Sequence, residues 1–63
     1  MENWHINEFW NDEDGNATQW VHNEKPLYID LIDGRYEVNY EFKLIYRTDS
    51  LENAMEYGEN YER

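Results

Sequence analysis

Apolar and polar residues alternate most regularly between Leu27 and Arg47. Leu27, Ile29 and Leu31 are separated by Tyr28 and Asp30. Beyond Asp33-Gly34, the residues Tyr36, Val38, Tyr40, Phe42, Leu44 and Tyr46 fill every second position. Period-two alternation marks a strand with one buried face, and Asp-Gly between two such runs is a strong hairpin signal. The pattern predicts a strand over Leu27 to Ile32, a two-residue turn, and one long strand from Arg35 to Arg47. That turn pairs Ile32 with Arg35, Leu31 with Tyr36, Ile29 with Val38 and Leu27 with Tyr40. The apolar residues of both strands then share a face, a match that a one-residue slip would destroy. The same register sets Asp30 opposite Glu37 and Glu24 opposite Lys43.

The last residues change period. Leu51, Ala54, Met55, Gly58 and Tyr61 recur at helical spacing and form one apolar stripe. Asp49 with Glu52 three residues on reads as a capping box, with Ser50 as the alternative cap. Gly58 weakens a helix by about 1 kcal/mol relative to Ala. A small residue there lets the helix sit close to the sheet, or else marks its end.

In the first 25 residues, Trp4 to Trp10 and Ala17 to Asn23 read as two strands around the loop 11–16. Pairing Trp10 with Ala17 sets Ile6 opposite Val21 and His5 opposite His22. Trp4, Ile6, Trp10 and Val21 then share one face, and Phe9 and Trp20 the other. Glu24-Lys25-Pro26 is the connection, because Pro26 resists a central strand. The expected architecture is a single α+β domain over residues 1–63. Two hairpins make a small antiparallel four-stranded sheet, and the C-terminal helix covers its apolar face (ββββα).

Composition bears first on whether the chain folds. A net charge of −10 from 15 acidic and five basic residues, with a mean hydropathy of −1.15, leans toward disorder. Against this, 17% of the residues are aromatic, and disordered segments are poor in aromatics. The ordered patterning decides for a fold. At 63 residues the core is small, burying about 60% of the unfolded surface, and without cysteine there is no disulfide or Cys-based zinc site to reinforce it.

The charge excludes ordinary binding to nucleic acid through phosphate neutralisation and docking on an anionic membrane. No apolar run approaches the ~20 residues of a membrane span. Glu2, Asn3 and His5 are not a basic region ahead of an apolar core, so a secretory leader is not expected. A cytoplasmic protein is.

Candidate sites are few. Asp12-Glu13-Asp14-Gly15 resembles part of a calcium loop, but with Gly15 at position 6 an EF-hand would need ligands at Trp10 and Val21. The run reads instead as a solvated hairpin loop. His5 and His22, facing each other in the expected register, lack the four ligands zinc wants. Asn16-Ala17-Thr18 matches a glycosylation acceptor, which has no consequence without secretion. There is no Cys nucleophile, Ser50 is explained by capping, and a chain this short has little room for a water-excluding pocket. Neither an enzyme nor a cofactor is expected.

The acids are more informative. Asp30 facing Glu37 across two strands is unfavourable, and the same face carries Tyr28, Ile32 and Ile45, the composition of a contact surface. Glu52, Glu56 and Glu59 follow helical spacing opposite the apolar stripe, with only Arg63 to offset them and no Glu-to-Lys pairs. Self-repulsion at −10 destabilises a compact state, so the charge is expected to meet something positive. In size, charge and composition, though by no residue-level motif, the chain resembles the small acidic cysteine-free proteins with which phages and mobile elements block host enzymes. These include DNA-mimic inhibitors of restriction, CRISPR effectors, repair glycosylases and RNA polymerase. The resemblance implies an inhibitor that occupies the basic groove of a host nucleic-acid-binding protein. The contact residues would be Tyr28, Asp30, Glu37, Glu41, Glu52, Glu56 and Glu59. The alternative is an interaction module whose aromatic N-terminal hairpin binds through Trp4, Trp10 and Trp20, with the acids serving solubility. A homodimer through an exposed strand edge is compatible with either.

Overall fold

A computed structural model of the chain describes residues 3–62. Five antiparallel strands form one sheet in simple meander order: β1 (Trp4–Ile6), β2 (Gln19–His22), β3 (Leu27–Ile32), β4 (Arg35–Tyr40) and β5 (Lys43–Thr48). The helix α1 (Leu51–Asn60) follows and packs on one face. Trp4, Trp20, Leu27, Ile29, Val38 and Ala54 form the buried core, with Leu51 and Met55 against it.

The β3–β4 hairpin has the expected register throughout, from Leu27 opposite Tyr40 to Ile32 opposite Arg35. Asp33 (φ 50°) and Gly34 (φ 77°) both lie in the left-handed region, as a turn matched to strand twist requires.

The long second strand is instead two strands, which makes the sheet five-stranded rather than four. The chain reverses at Glu41-Phe42, where both residues take positive φ, 50° and 68°. Neither is a residue type that favours this region. The Glu41 N–H donates to the Pro26 carbonyl at 3.0 Å, which fixes where the turn sits. Lys43 consequently pairs with Tyr40 and not with Glu24, which lies in the β2–β3 connection. A two-residue turn alone would place Ile45 opposite Val38 and send Tyr46 to the polar face. A register shift between Val38 and Asn39 brings Tyr46 opposite Val38 instead. The bulge lets the even-numbered apolar series resume on the core face, and Leu44 is left on the open face opposite Asn39.

The first hairpin departs further. Strand β1 is only three residues long, and Glu8–Trp10 form a 3-10 turn. The pairs are Trp4 with His22, His5 with Val21 and Ile6 with Trp20, one residue out of the expected register. His5 and His22 therefore project to opposite faces. The slip moves Val21 off the core face and places both Trp4 and Trp20 on it, each 6% exposed. Burying two indoles outweighs burying Trp4 with a valine, since an aromatic side chain removes 150–250 Å² from water. The loop beyond is closed by Asp12. Its Oδ1 accepts the N–H groups of Asp14 and Asn16 at 3.0 and 2.8 Å, so that carboxylate holds the backbone.

Helix α1 begins at Ser50, whose hydroxyl accepts the Asn53 N–H at 3.2 Å; Asp49 is not the cap. Gly58 gives the helix its close seat. A Cβ there would lie 3.0 Å from Cη2 and Cζ2 of Trp4, so the helix rests directly on the indole.

Both sheet edges are blunt. Strand β1 is short, and β5 carries the bulge together with Lys43 and Arg47, features that discourage edge-to-edge pairing.

Candidate partner-binding surfaces

The acids expected to act together lie on opposite sides of the sheet. Tyr28, Asp30 and Glu37 are on the open face, whereas Glu52, Glu56 and Glu59 belong to the helix on the core face. Glu41 sits at the tip of the β4–β5 turn. Arg63, expected to offset the helix acids, lies outside the described residues.

On the open face the strand pairing aligns two rows. One runs Asn7, Gln19, Asp30, Glu37, Arg47. Asn7 donates to Gln19 at 2.7 Å and Gln19 donates to Asp30 at 2.8 Å. Arg47 Nε donates to Glu37 at 3.0 Å. The like-charged pair Asp30–Glu37 is thus relieved from both flanks, by an amide on one side and a guanidinium on the other. The second row is His5, Val21, Tyr28, Asn39, Leu44. Burial, and then the nearby Asp30 charge, push the Tyr28 phenol above its ordinary pKa, so its hydroxyl stays protonated. Ile45, expected on this face, is the bulged residue instead and packs partly against the core.

Glu59 is a structural latch. Its Oε2 accepts from Asn3 at 3.2 Å and its Oε1 meets His22 Nε2 at 3.0 Å. The other ring nitrogen, Nδ1, accepts the N–H groups of Glu24 and Lys25, both at 3.0 Å, which leaves Nε2 as the donor to Glu59. Lys25 Nζ donates to the Glu59 carbonyl at 3.0 Å. Partial desolvation pulls the Glu59 carboxyl upward, but the hydrogen bonds from Asn3 and His22, with the nearby Trp4 indole, outweigh it. The carboxyl lies below its ordinary value. That indole N–H is itself buried, with no partner at hydrogen-bonding distance among the described residues. Sequence spacing could not separate Glu59 from its neighbours, because the groups that engage it come from residues 3, 22 and 25.

Glu52 and Glu56 are exposed, and no residue of α1 is basic. Among the described residues no group of three metal-ligating side chains exists, and no helix is long and apolar enough to cross a membrane.

Of the three tryptophans, Trp4 and Trp20 are core, so the aromatic hairpin cannot present them. Only Trp10 is available, 60% exposed beside Phe9 at 98%. Phe42, at the strained turn, is 90% exposed, with its ring 6.0 Å from that of Tyr28. Alternation assigned Phe42 to a buried face and gave no warning of the turn. Comparison with known proteins finds no family model, no curated protein and no solved structure that matches this chain.

Proposed function

We propose that this protein is a small acidic binding module, of the phage or mobile-element type, that inhibits a host DNA- or RNA-handling protein in the cytoplasm by occupying its basic groove. The observation that carries the reading is the outward side of α1, where Glu52 and Glu56 stand exposed on a helix without a single base. Of the five cations in the chain, Arg47 is bonded to Glu37 and Lys25 to a helix carbonyl, which further favours a negative exterior. Asp30 and Glu37 have partners of their own and Glu59 holds the fold, so the principal contacts would be Glu52 and Glu56. Four residues of helix rise place those two about 6 Å apart along the axis, against one phosphate charge per ~1.7 Å of duplex. The module would therefore fill a basic groove with net charge rather than copy phosphate positions.

The test is capture of partners from bacterial lysate at low salt, with and without competing duplex DNA, using the native chain and Glu52→Lys/Glu56→Lys. A nucleic-acid enzyme retained by the native chain, displaced by DNA and lost with the double variant is the expected result. A partner that ignores both DNA and the double variant would refute it.

The exposure of Phe9 and Trp10 favours a second reading, an apolar contact through the 3-10 turn. Binding that survives high salt but fails with Trp10→Ala would select it, because apolar contacts are not screened.

A further inference from the structure

Between α1 and β5 runs an open groove of about 480 Å³, lined by Tyr46, Tyr57, Tyr61, Glu56, Asn60 and Glu62 among others. Tyr57 lies in the last turns of α1 and Tyr61 is its C-cap residue. Tyr57 stacks on Tyr46, centroids 4.1 Å apart and planes within 7°, and Tyr61 lies 6.2 Å from Tyr57. Tyr57 nevertheless remains 37% exposed. The stack is a half-open aromatic wall, backed on its inner side by the core against which Tyr46 packs. Glu56 and Glu62 flank it, both exposed, and neither carboxylate has a hydrogen-bond or ion-pair partner among the described residues. Among the described residues, no Lys or Arg lines the groove.

Aromatic faces and unpartnered carboxylates around one groove are complementary to a single chemistry, a cation with a flat apolar surface. A guanidinium meets that description. It stacks on tyrosine faces through its plane and gives its N–H groups to carboxylates, whereas an ammonium is a compact, strongly hydrated charge with no plane to stack. We propose that this tyrosine–glutamate groove is a subsite for an arginine side chain of the basic partner. The inference rests on the functional reading above and deepens it. Arginine is abundant in nucleic-acid-binding grooves because it pairs with phosphate, so a groove that takes arginine would give the charged surface a directional anchor. The carboxylates supply attraction, and the stacked rings supply a preference for arginine over lysine that charge alone lacks.

Hexa-arginine and hexalysine peptides provide the probe, titrated into the isotope-labelled full chain at low ionic strength with amide shifts recorded residue by residue. The expected shifts from hexa-arginine are largest at Tyr46, Asn53, Tyr57, Asn60 and Tyr61, and hexa-arginine binds more tightly than hexalysine. Tyr57→Leu keeps apolar bulk on the helix and should weaken hexa-arginine by about two- to five-fold, the range of an exposed cation–π contact, with a smaller effect on hexalysine. Glu56→Gln/Glu62→Gln, confined to exposed side chains, should weaken both peptides. Equal affinities for the two peptides, or shifts centred on Glu52 or the 11–16 loop and unchanged in either variant, would overturn the arginine subsite and leave the acidic module standing. No interaction with either peptide would overturn both.

Discussion

Replacing Glu41-Phe42 by Asn-Gly isolates the strain in the second hairpin. Both native residues sit at positive φ, 50° and 68°. That conformation costs an ordinary L-residue about 1–2 kcal/mol, whereas Asn tolerates it and Gly adopts it freely. Losses oppose the gain, the further interaction of Glu41 among them. Glycine has more freedom to surrender on folding, worth about 0.5–1 kcal/mol, and the contact between Phe42 and Tyr28 disappears. Phe42 is 90% exposed, so little burial goes with it. The Glu41 N–H bond to Pro26 is available to Asn as well. The balance is a gain of about 1 kcal/mol, which raises Tm by about 4–8 °C in a domain of this size. Thermal and urea unfolding followed by circular dichroism would measure it, with an unchanged urea slope showing that only stability moved. Gly34→Ala is the converse control. Gly34 has φ 77° and a Cβ there meets nothing within 4 Å, so its expected loss, about 1 kcal/mol or more, is purely conformational. A lower Tm for Asn-Gly alongside the expected loss for Gly34→Ala would refute the strain argument and assign Phe42 a stabilising contact.

Three further outcomes follow from the packing and the latch. Gly58→Val, which drives side-chain atoms into Trp4, is expected to lose about 1–3 kcal/mol, and Gly58→Ala should fall short of the ~1 kcal/mol a helical glycine usually returns; Tm measures both. The Glu59 carboxyl is held below its ordinary value of 4.5, so its contribution to stability is complete above that value and fades as pH falls through the lower, folded one. Native chain and Glu59→Gln should accordingly differ in urea midpoint at neutral pH and converge in acid, and a constant difference would contradict the assignment. Asp12→Ala removes the acceptor for two backbone N–H groups and should speed amide exchange at Asp14 and Asn16 while leaving β3 and β4 protected.

Legibility in the sequence tracked how locally each feature is determined. The Asp33-Gly34 hairpin was readable to the residue because turn chemistry and alternation specify one register independently. The option of Ser50 as cap was readable too, since it depends on a few neighbouring positions, whereas the small residue at Gly58 hinted at a close seat without naming Trp4, distant in the chain, as what fills it. The Glu41-Phe42 reversal was not, because neither residue favours a left-handed turn and the even-numbered apolar series runs unbroken across it. The slip in the first hairpin was equally hidden, since a six-residue loop leaves register open and only the competition to bury two indoles settles it. The candidate site divided in the same way. Which residues are acidic is written in the chain, but not that Asp30 and Glu37 hold partners or that Glu59 latches three segments together.

The sequence by itself determined an acidic α+β domain with a firm central hairpin and a C-terminal helix, since alternation, turn residues and helical spacing act over a few residues. Only the tertiary structure decided which face each tryptophan takes, where the long strand folds back, and which carboxylates remain exposed. Those outcomes depend on contacts between residues far apart in the chain, where burial of large aromatic surfaces overrides the local preferences that a sequence displays.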